Sequence, residues 1–262
     1  MSDVSVVLRQ TRFSLHSLSR DKQAVIFTIV FPMVLYALFS SIFGGDNTTD
    51  LPSGVQLELN AYYAAGMIAY AIAGDTFTTL SITLTTARES GLLKRYRGTP
   101  VPAWTFICSL VLRSLVLVAF TVLALGLVAR LAYGVEFRAG SVGGLVVYVL
   151  LGTFTFCCLG VALTTFTRST EAASALAPFS VVILSFISGV FIPVDQLPDW
   201  LADVGRVFPL AHLATGLQTA LSPSANSTGL SAENLGVLAA WGVGGLILAA
   251  RTFRWEPRLA RG

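Results

Sequence analysis

The chain has 262 residues, 54% of them hydrophobic and only 12% charged, where an ordinary soluble domain carries roughly 25% charged residues. That balance argues against a soluble enzyme, and a net charge of +3 diluted by so much apolar sequence argues against a nucleic-acid binder. Where the few charges sit is the informative question.

In the segment 3–22, Val4, Leu8, Thr11, Leu15 and Leu18 recur at helical spacing, while Arg9, Arg12, His16 and Arg20 fall on another side. The pattern fits an amphipathic helix lying in the membrane surface, and it also fits a cytosolic helix packed on a partner. Beyond it, six stretches are long and apolar enough to cross a bilayer, whose core of roughly 30 Å takes about 20 helical residues. They are 24–43, 62–87, 103–129, 141–166, 173–193 and 233–253. The first carries no small-residue cleavage pattern after it, so it is expected to remain a span and not a removable signal. The last has its uninterrupted core at 235–250 and relies on Arg251 snorkelling to the interface.

Between the first two spans, the acidic, turn-rich segment 44–61 reads as ordinary exposed loop. The second span is unusually polar, with Asp75, Thr79, Thr83 and Thr86 along one face. Such hydroxyls either bond their own helix and glue it to neighbours or line a pathway. Asp75 costs about 2.5 to 3.5 kcal/mol near mid-helix unless paired, protonated or wetted. Arg113 in the third span lies within about 3 Å of the same depth by helical rise, so the two either form a buried ion pair or separate, with Arg113 snorkelling and Asp75 facing a wet cavity. Gly140, Gly144, Gly152 and Gly160, and later Gly236, Gly242, Gly244 and Gly245, allow close helix approach.

The segment 194–232 is not loop-like. Leu197, Trp200, Leu201, Val204 and Phe208 make one helical stripe, Pro209 interrupts, and Leu210, Leu213, Leu217 and Leu221 make a second. Two helices too short to span form either a re-entrant hairpin or a pair lying on the surface. The expected architecture is one all-α membrane domain over 1–262, with six transmembrane helices, an N-terminal amphipathic interfacial helix and an external re-entrant helical hairpin between the fifth and sixth spans.

Thirteen Lys and Arg residues flank the spans on one side and two, Arg138 and Arg206, on the other, with Arg113 and Arg130 inside the third span. The bias puts both termini in the cytoplasm of a multi-pass plasma-membrane protein. Cys108, Cys157 and Cys158 all lie in apolar runs and read as core residues, and His16 and His212 are too far apart to suggest a metal or catalytic pair. No Gly-x-x-x-x-Gly-Lys-Ser/Thr phosphate loop occurs, so the chain is not expected to bind nucleotide itself, and any energy must come from elsewhere.

The stretch 88–100 joins the second and third spans and carries a basic set, Arg88, Lys94, Arg95 and Arg97, beside Leu92, Leu93 and Tyr96, with Gly98 and Pro100 ending the helix. By itself this is either a docking surface or a topogenic positive loop. The run Arg88, Glu89, Ser90, Gly91, Leu92, Leu93, Lys94, Arg95, followed by Thr99, Pro100 and Val101, resembles the cytoplasmic signature of the type-2 permeases of ATP-binding-cassette (ABC) exporters. The run Ser188 to Pro193, with Leu197, Pro198, Trp200, Leu201, Pro209 and Leu210, is similar to that family's end of helix 5 and external hairpin.

The resemblance implies a membrane subunit that works with a second copy or a related chain, while ATP and Mg are bound by a separate ATP-binding subunit. That subunit docks at Arg88, Glu89, Gly91, Leu92, Leu93, Lys94, Arg95 and Tyr96. Pro193, Leu197, Trp200, Leu201, Phe208 and Pro209 form an external gate, and the cargo is a drug, antibiotic, lipid or similar metabolite. Two other classes stay open. A proton-coupled secondary transporter would use Asp75, and it is disfavoured by the lack of internal repeats with matching broken helices. A non-transport membrane scaffold requires that 88–100 bind nothing.

Overall fold

The computed structural model describes residues 3–20, 22, 26–45, 47–52, 54, 56–98, 102, 104–137, 139–222 and 229–252, and they are mostly helical. Ala24, Thr99, Pro100, Val101, Ala103, Arg138, Phe253, the basic residues Arg254, Arg258 and Arg261, and part 223–228 of the hairpin segment lie outside the described residues, as do the side chains of Leu18 and Arg97.

Helix α1 (Asp3–Arg20) has an acidic first turn and a basic last one, matching the helix dipole. After a π-helical turn at Ile26–Val30 comes α2 (Phe31–Phe43), which tolerates Pro32 because its first turn needs no N–H there. A two-stranded antiparallel ribbon, β1 (Thr48–Asp50) and β2 (Gln56–Glu58), leads into α3 (Leu59–Ala73). That helix continues through a π-helical segment, Gly74–Thr79, into α4 (Leu80–Glu89). The remaining helices are α5 (Leu92–Arg97), α6 (Trp104–Tyr133), α7 (Ala139–Leu163), α8 (Thr170–Ile187), α9 (Asp199–Val207), α10 (Pro209–Leu221) and α11 (Ala232–Thr252).

Among the described residues, five helices are long and apolar enough to cross a membrane: Leu59–Glu89, Trp104–Tyr133, Gly140–Leu163, Thr170–Ile187 and Ala232–Thr252. The expected first span appears as a shorter apolar helix, Thr28–Phe43. The span most buried by protein, at 61%, is the least apolar one, Leu59–Glu89, whereas the most apolar, Trp104–Tyr133, is only 28% buried. In water that order would be reversed. It is the distribution of a bundle whose outer faces meet hydrocarbon and whose inner contacts come from close packing and polar bonds.

Helix α3 is the axis of the bundle, buried everywhere except at Tyr70 and packed against α2, α6, α7 and α10. Its Ala61, Ala64, Ala65, Gly66 and Ala69 keep it thin enough for four neighbours. A second close approach occurs at Gly160 of α7, where an added Cβ would stand 2.9 Å from the Phe77 carbonyl oxygen. No larger residue fits against the π segment there.

Three local expectations change. The segment 44–61 is not plain loop, because Thr49, Leu51 and Leu57 are buried beneath the ribbon, following its period of two. Cys157 and Cys158 are core residues as expected, but Cys108 is exposed, since α6 is apolar all round and apolarity cannot mark which face turns inward. In α1, Val4, Leu8 and Phe13 face away from the protein, and the polar Thr11 is buried against α6, donating to Ser109 O at 3.3 Å.

Candidate functional site

One end of the bundle gathers α1, α5 and the α7–α8 connection. Arg88, expected on a basic surface, is buried: its Nη1 donates to Thr164 O at 2.7 Å and its Nη2 to Thr167 O at 2.6 Å. The α7 chain end turns here through Thr164, Thr165 and Phe166, and its carbonyls, freed from the helix ladder, need donors. A forked guanidinium supplies two at once. Next to it, Glu89 Oε2 accepts from the Thr170 backbone N–H at 2.9 Å and from the Thr170 hydroxyl at 2.6 Å. The carboxylate thereby sits at the N-terminus of α8, where Ser169 caps by accepting from Ala172 N. Thr85 and Thr167 hydroxyls meet at 3.2 Å and complete the junction.

Gly91, at φ 71°, makes the left-handed turn between α4 and α5. Beyond it Leu93 is fully buried, so the expected apolar patch loses that member, while Leu92, Lys94 and Arg95 face outward. Tyr96 turns back, its hydroxyl accepting from Gln10 Nε2 at 2.9 Å and its ring lying 5.3 Å from Phe106. Arg88 and Glu89 therefore bind the end of the α3–α4 span to the start of α8, Tyr96 binds α5 to α1, and Leu92, Lys94 and Arg95 remain available to a partner.

The polar face of the α3–α4 span does not stay together. A π-helical turn carries an extra residue per hydrogen-bonded ring and rotates the residues after it, a shift that uniform 3.6-residue spacing does not anticipate. Asp75 and Thr79 line a cavity of about 330 Å³ with Thr78, Tyr70, Phe31 and Pro178. Thr83 and Thr86 line another, of about 740 Å³, with Arg9, Phe13, Tyr96 and Arg113. Thr86 also bonds its own helix at Ile82 O, 2.8 Å away.

Among the described residues no ion pair joins Asp75 to Arg113; Arg113 Nη1 donates to Ser14 Oγ of α1 at 3.4 Å. Equal depth did not decide the matter, because Arg113 lies about 14 Å along α6 from Trp104, at the level where α1 crosses that helix. Both Asp75 carboxylate oxygens are buried and lie within reach of Ser114 and Arg113 of α6, without a hydrogen bond of good geometry to either.

The opposite end carries the ribbon and the α8–α10 region. Thr49 donates to Asp195 Oδ1 at 3.1 Å. The carbonyl of Gly189, at φ 71° past the end of α8, accepts from Tyr62 Oη at 2.6 Å and from Gln218 Nε2 at 2.9 Å. Pro193 and Pro209 are buried, Leu197, Leu201 and Phe208 half-buried, and Trp200 exposed. Helix α9 lies against the end of α8, with Gly205 on the Ile187 carbonyl, whereas α10 is buried against α3, α7 and α11. His212 bridges these pieces, its Nδ1 2.8 Å from Asn234 Oδ1 and its Nε2 2.8 Å from Arg206 O. Spacing alone does not single out Tyr62, Gln218 or Asn234; each is a polar residue beside an apolar run, the only trace they leave.

Five helices long and apolar enough to cross a membrane, packed around a buried Ala-rich helix and tied together at one end, are the build of a multi-pass membrane protein. Residues 7–221 match the ABC-2 type transporter family, and the chain belongs to it. It is 21% identical over 215 residues to the transport permease YvfS of Bacillus subtilis (strain 168), covering 81% of this chain and 84% of that protein. It is 28% identical over 200 residues to the daunorubicin resistance ABC transporter permease protein DrrB1 of Streptomyces coeruleorubidus, covering 71% of this chain and 64% of that one.

Proposed function

We propose that the chain is the permease half of an ATP-driven exporter that uses six spans, with Thr28–Phe43 belonging to the first, and has both termini in the cytoplasm. Two such chains, identical or related, form the pathway. A separate ATP-binding subunit holds ATP and Mg and docks on Leu92, Lys94 and Arg95, and this chain contributes no catalytic group. The cargo class is a drug-like, antibiotic or lipidic molecule, a reading supported by the family and by the daunorubicin resistance that DrrB1 is named for. Asp75 and Thr79 line the pathway, Thr83, Thr86 and Arg113 form the polar wall nearer the docking end, and the α9–α10 hairpin with Pro193, Leu197 and Trp200 caps the exit.

The observation that carries the reading is the Arg88 and Glu89 junction. Motion imposed on α5 by a docked ATPase passes through two carbonyl bonds and one carboxylate into the α7–α8 connection, and so into α8, which walls the Asp75 cavity. Helix α1 lies in the membrane surface with Val4, Leu8 and Phe13 toward lipid, which its outward apolar residues support. The test is co-expression with a candidate ATP-binding subunit and capture on a tag carried by this chain. Stable capture supports docking, and failure to capture any ATP-binding subunit in the membrane fraction counts against it.

A further inference from the structure

We propose that the cleft between α1, α4, α5 and α6 holds the headgroup of an anionic phospholipid from the adjoining leaflet, as a resident ligand and not as cargo. The inference rests on the reading of α1 as a helix lying in the membrane surface, and it goes beyond the permease reading.

The cleft has a volume of about 740 Å³, within the range of roughly 300 to 1,000 Å³ usual for ligand sites. Its charged side chains are Arg9 of α1 and Arg113 of α6, and no acidic residue lines it among the described residues. Asp75, the carboxylate within electrostatic reach of Arg113, lines a different cavity. Arg113 Nη1 donates to Ser14 Oγ, also on the cleft wall, at 3.4 Å. That long bond is the one hydrogen bond Arg113 makes among the described residues, although a guanidinium has five donors. Ser17 of α1 and Thr83 of α4 add hydroxyls to the same wall. A set of donors with positive charge is the complement of a phosphodiester, whose oxygens only accept.

The apolar part of the wall selects a lipid over a free anion. Phe13, Leu92, Phe106 and Leu110 stand beside the basic groups, and Phe13, 76% exposed, continues into the outward-facing Val4 and Leu8. Inorganic phosphate gains nothing from that surface, whereas a glycerol backbone and the start of an acyl chain bury it. A neighbouring groove bordered by Arg9, Arg12, Phe13, Leu15 and His16 shares Arg9 and Phe13 with the cleft. Basic and apolar groups are thus interleaved along α1, the pattern by which an interfacial helix engages anionic lipid. Gln10 Nε2, bonded to Tyr96 Oη at the cleft wall, places such a lipid against the contact between α1 and α5.

The test titrates the full chain in a neutral detergent with dioleoyl phosphatidylglycerol and with dioleoyl phosphatidylcholine, reading bound lipid by native mass spectrometry. Wild type should bind phosphatidylglycerol at least about tenfold more tightly, the discrimination expected of a charge-assisted contact. Arg9→Gln and Arg113→Gln should each lower that preference severalfold, whereas Arg251→Gln, which removes an exposed charge outside the cleft, should keep it. Thr83→Trp, which fills the cleft, should weaken binding of phosphatidylglycerol. Inorganic phosphate in excess, at matched ionic strength, should not displace the lipid. Equal binding of the two lipids by wild type, a preference lost as much in Arg251→Gln as in Arg9→Gln, unchanged binding in Thr83→Trp, or displacement by phosphate overturns the proposal. The wild-type comparison and the exposed Arg9 variant keep the test valid if Arg113→Gln does not fold. The placement of α1 is judged separately, by brominated-lipid quenching of a fluorophore on Phe13→Cys in a Cys108→Ser background, so either reading can fail alone.

Discussion

Glu89 Oε2 accepts both the backbone N–H and the hydroxyl of Thr170, at 2.9 and 2.6 Å, although the two residues stand 81 positions apart. The pair fixes the end of the α3–α4 span to the first turn of α8. Under the proposed function, this contact and the Arg88 fork are the links through which a push on α5 would reach α8.

If that link transmits motion, Glu89→Ala should leave insertion and partner docking near wild type while transport per ATP falls severalfold. Thr170→Val should do the same, because Val keeps the shape and removes the hydroxyl. Transport and hydrolysis measured together on the same vesicles check this. An unchanged ratio in both variants assigns the pair a purely structural role.

Arg88 should behave differently. Removing it by Arg88→Met strands two buried carbonyls, each formerly bonded to a charged donor, at about 1.5 to 3 kcal/mol apiece. Folded yield and thermal stability should drop, and Arg88→Lys should recover little, since a lysine cannot bridge both carbonyls with a planar fork. Full recovery by Lys would mean that charge alone matters there.

Reversing two exposed charges, Lys94→Glu with Arg95→Glu, is expected to spare membrane insertion and weaken capture of the ATP-binding subunit. Loss of paired charge at an interface lowers association and makes it salt-sensitive. Capture at wild-type yield would reduce the stretch to a topogenic loop.

Thiol labelling tests the hairpin. In a Cys108→Ser background, needed because Cys108 is exposed, single cysteines at Asp50 and Trp200 should react fast with a membrane-impermeant reagent, Leu201 more slowly and Leu213 slowest. Leu213 is fully buried among α3, α7 and α11. Equal rates at Trp200 and Leu213 would place both helices on the surface.

Five of the six expected spans are legible in the sequence because apolar runs of membrane length admit few other structures, and the family is legible from a few compact runs such as Arg88 to Arg95. Arg88 itself misleads: a charged residue in a basic run signals surface, and only the distant Thr164 and Thr167 carbonyls reveal why it is inside. The split of Asp75 and Thr79 from Thr83 and Thr86 is not legible either, since a π segment changes hydrogen-bond register without a residue type that announces it. The ribbon at 48–58 is hidden by strands of three residues, too short for alternation to stand out from turn-rich sequence.

ATP turnover by the reconstituted chain, alone and with a separate ATP-binding subunit, tests the central claim most directly. A permease that borrows its energy shows no turnover by the chain alone, and turnover in the complex that falls when Lys94 and Arg95 are both changed to Glu. Appreciable hydrolysis by the purified chain, or a complex whose turnover ignores that change, would contradict it.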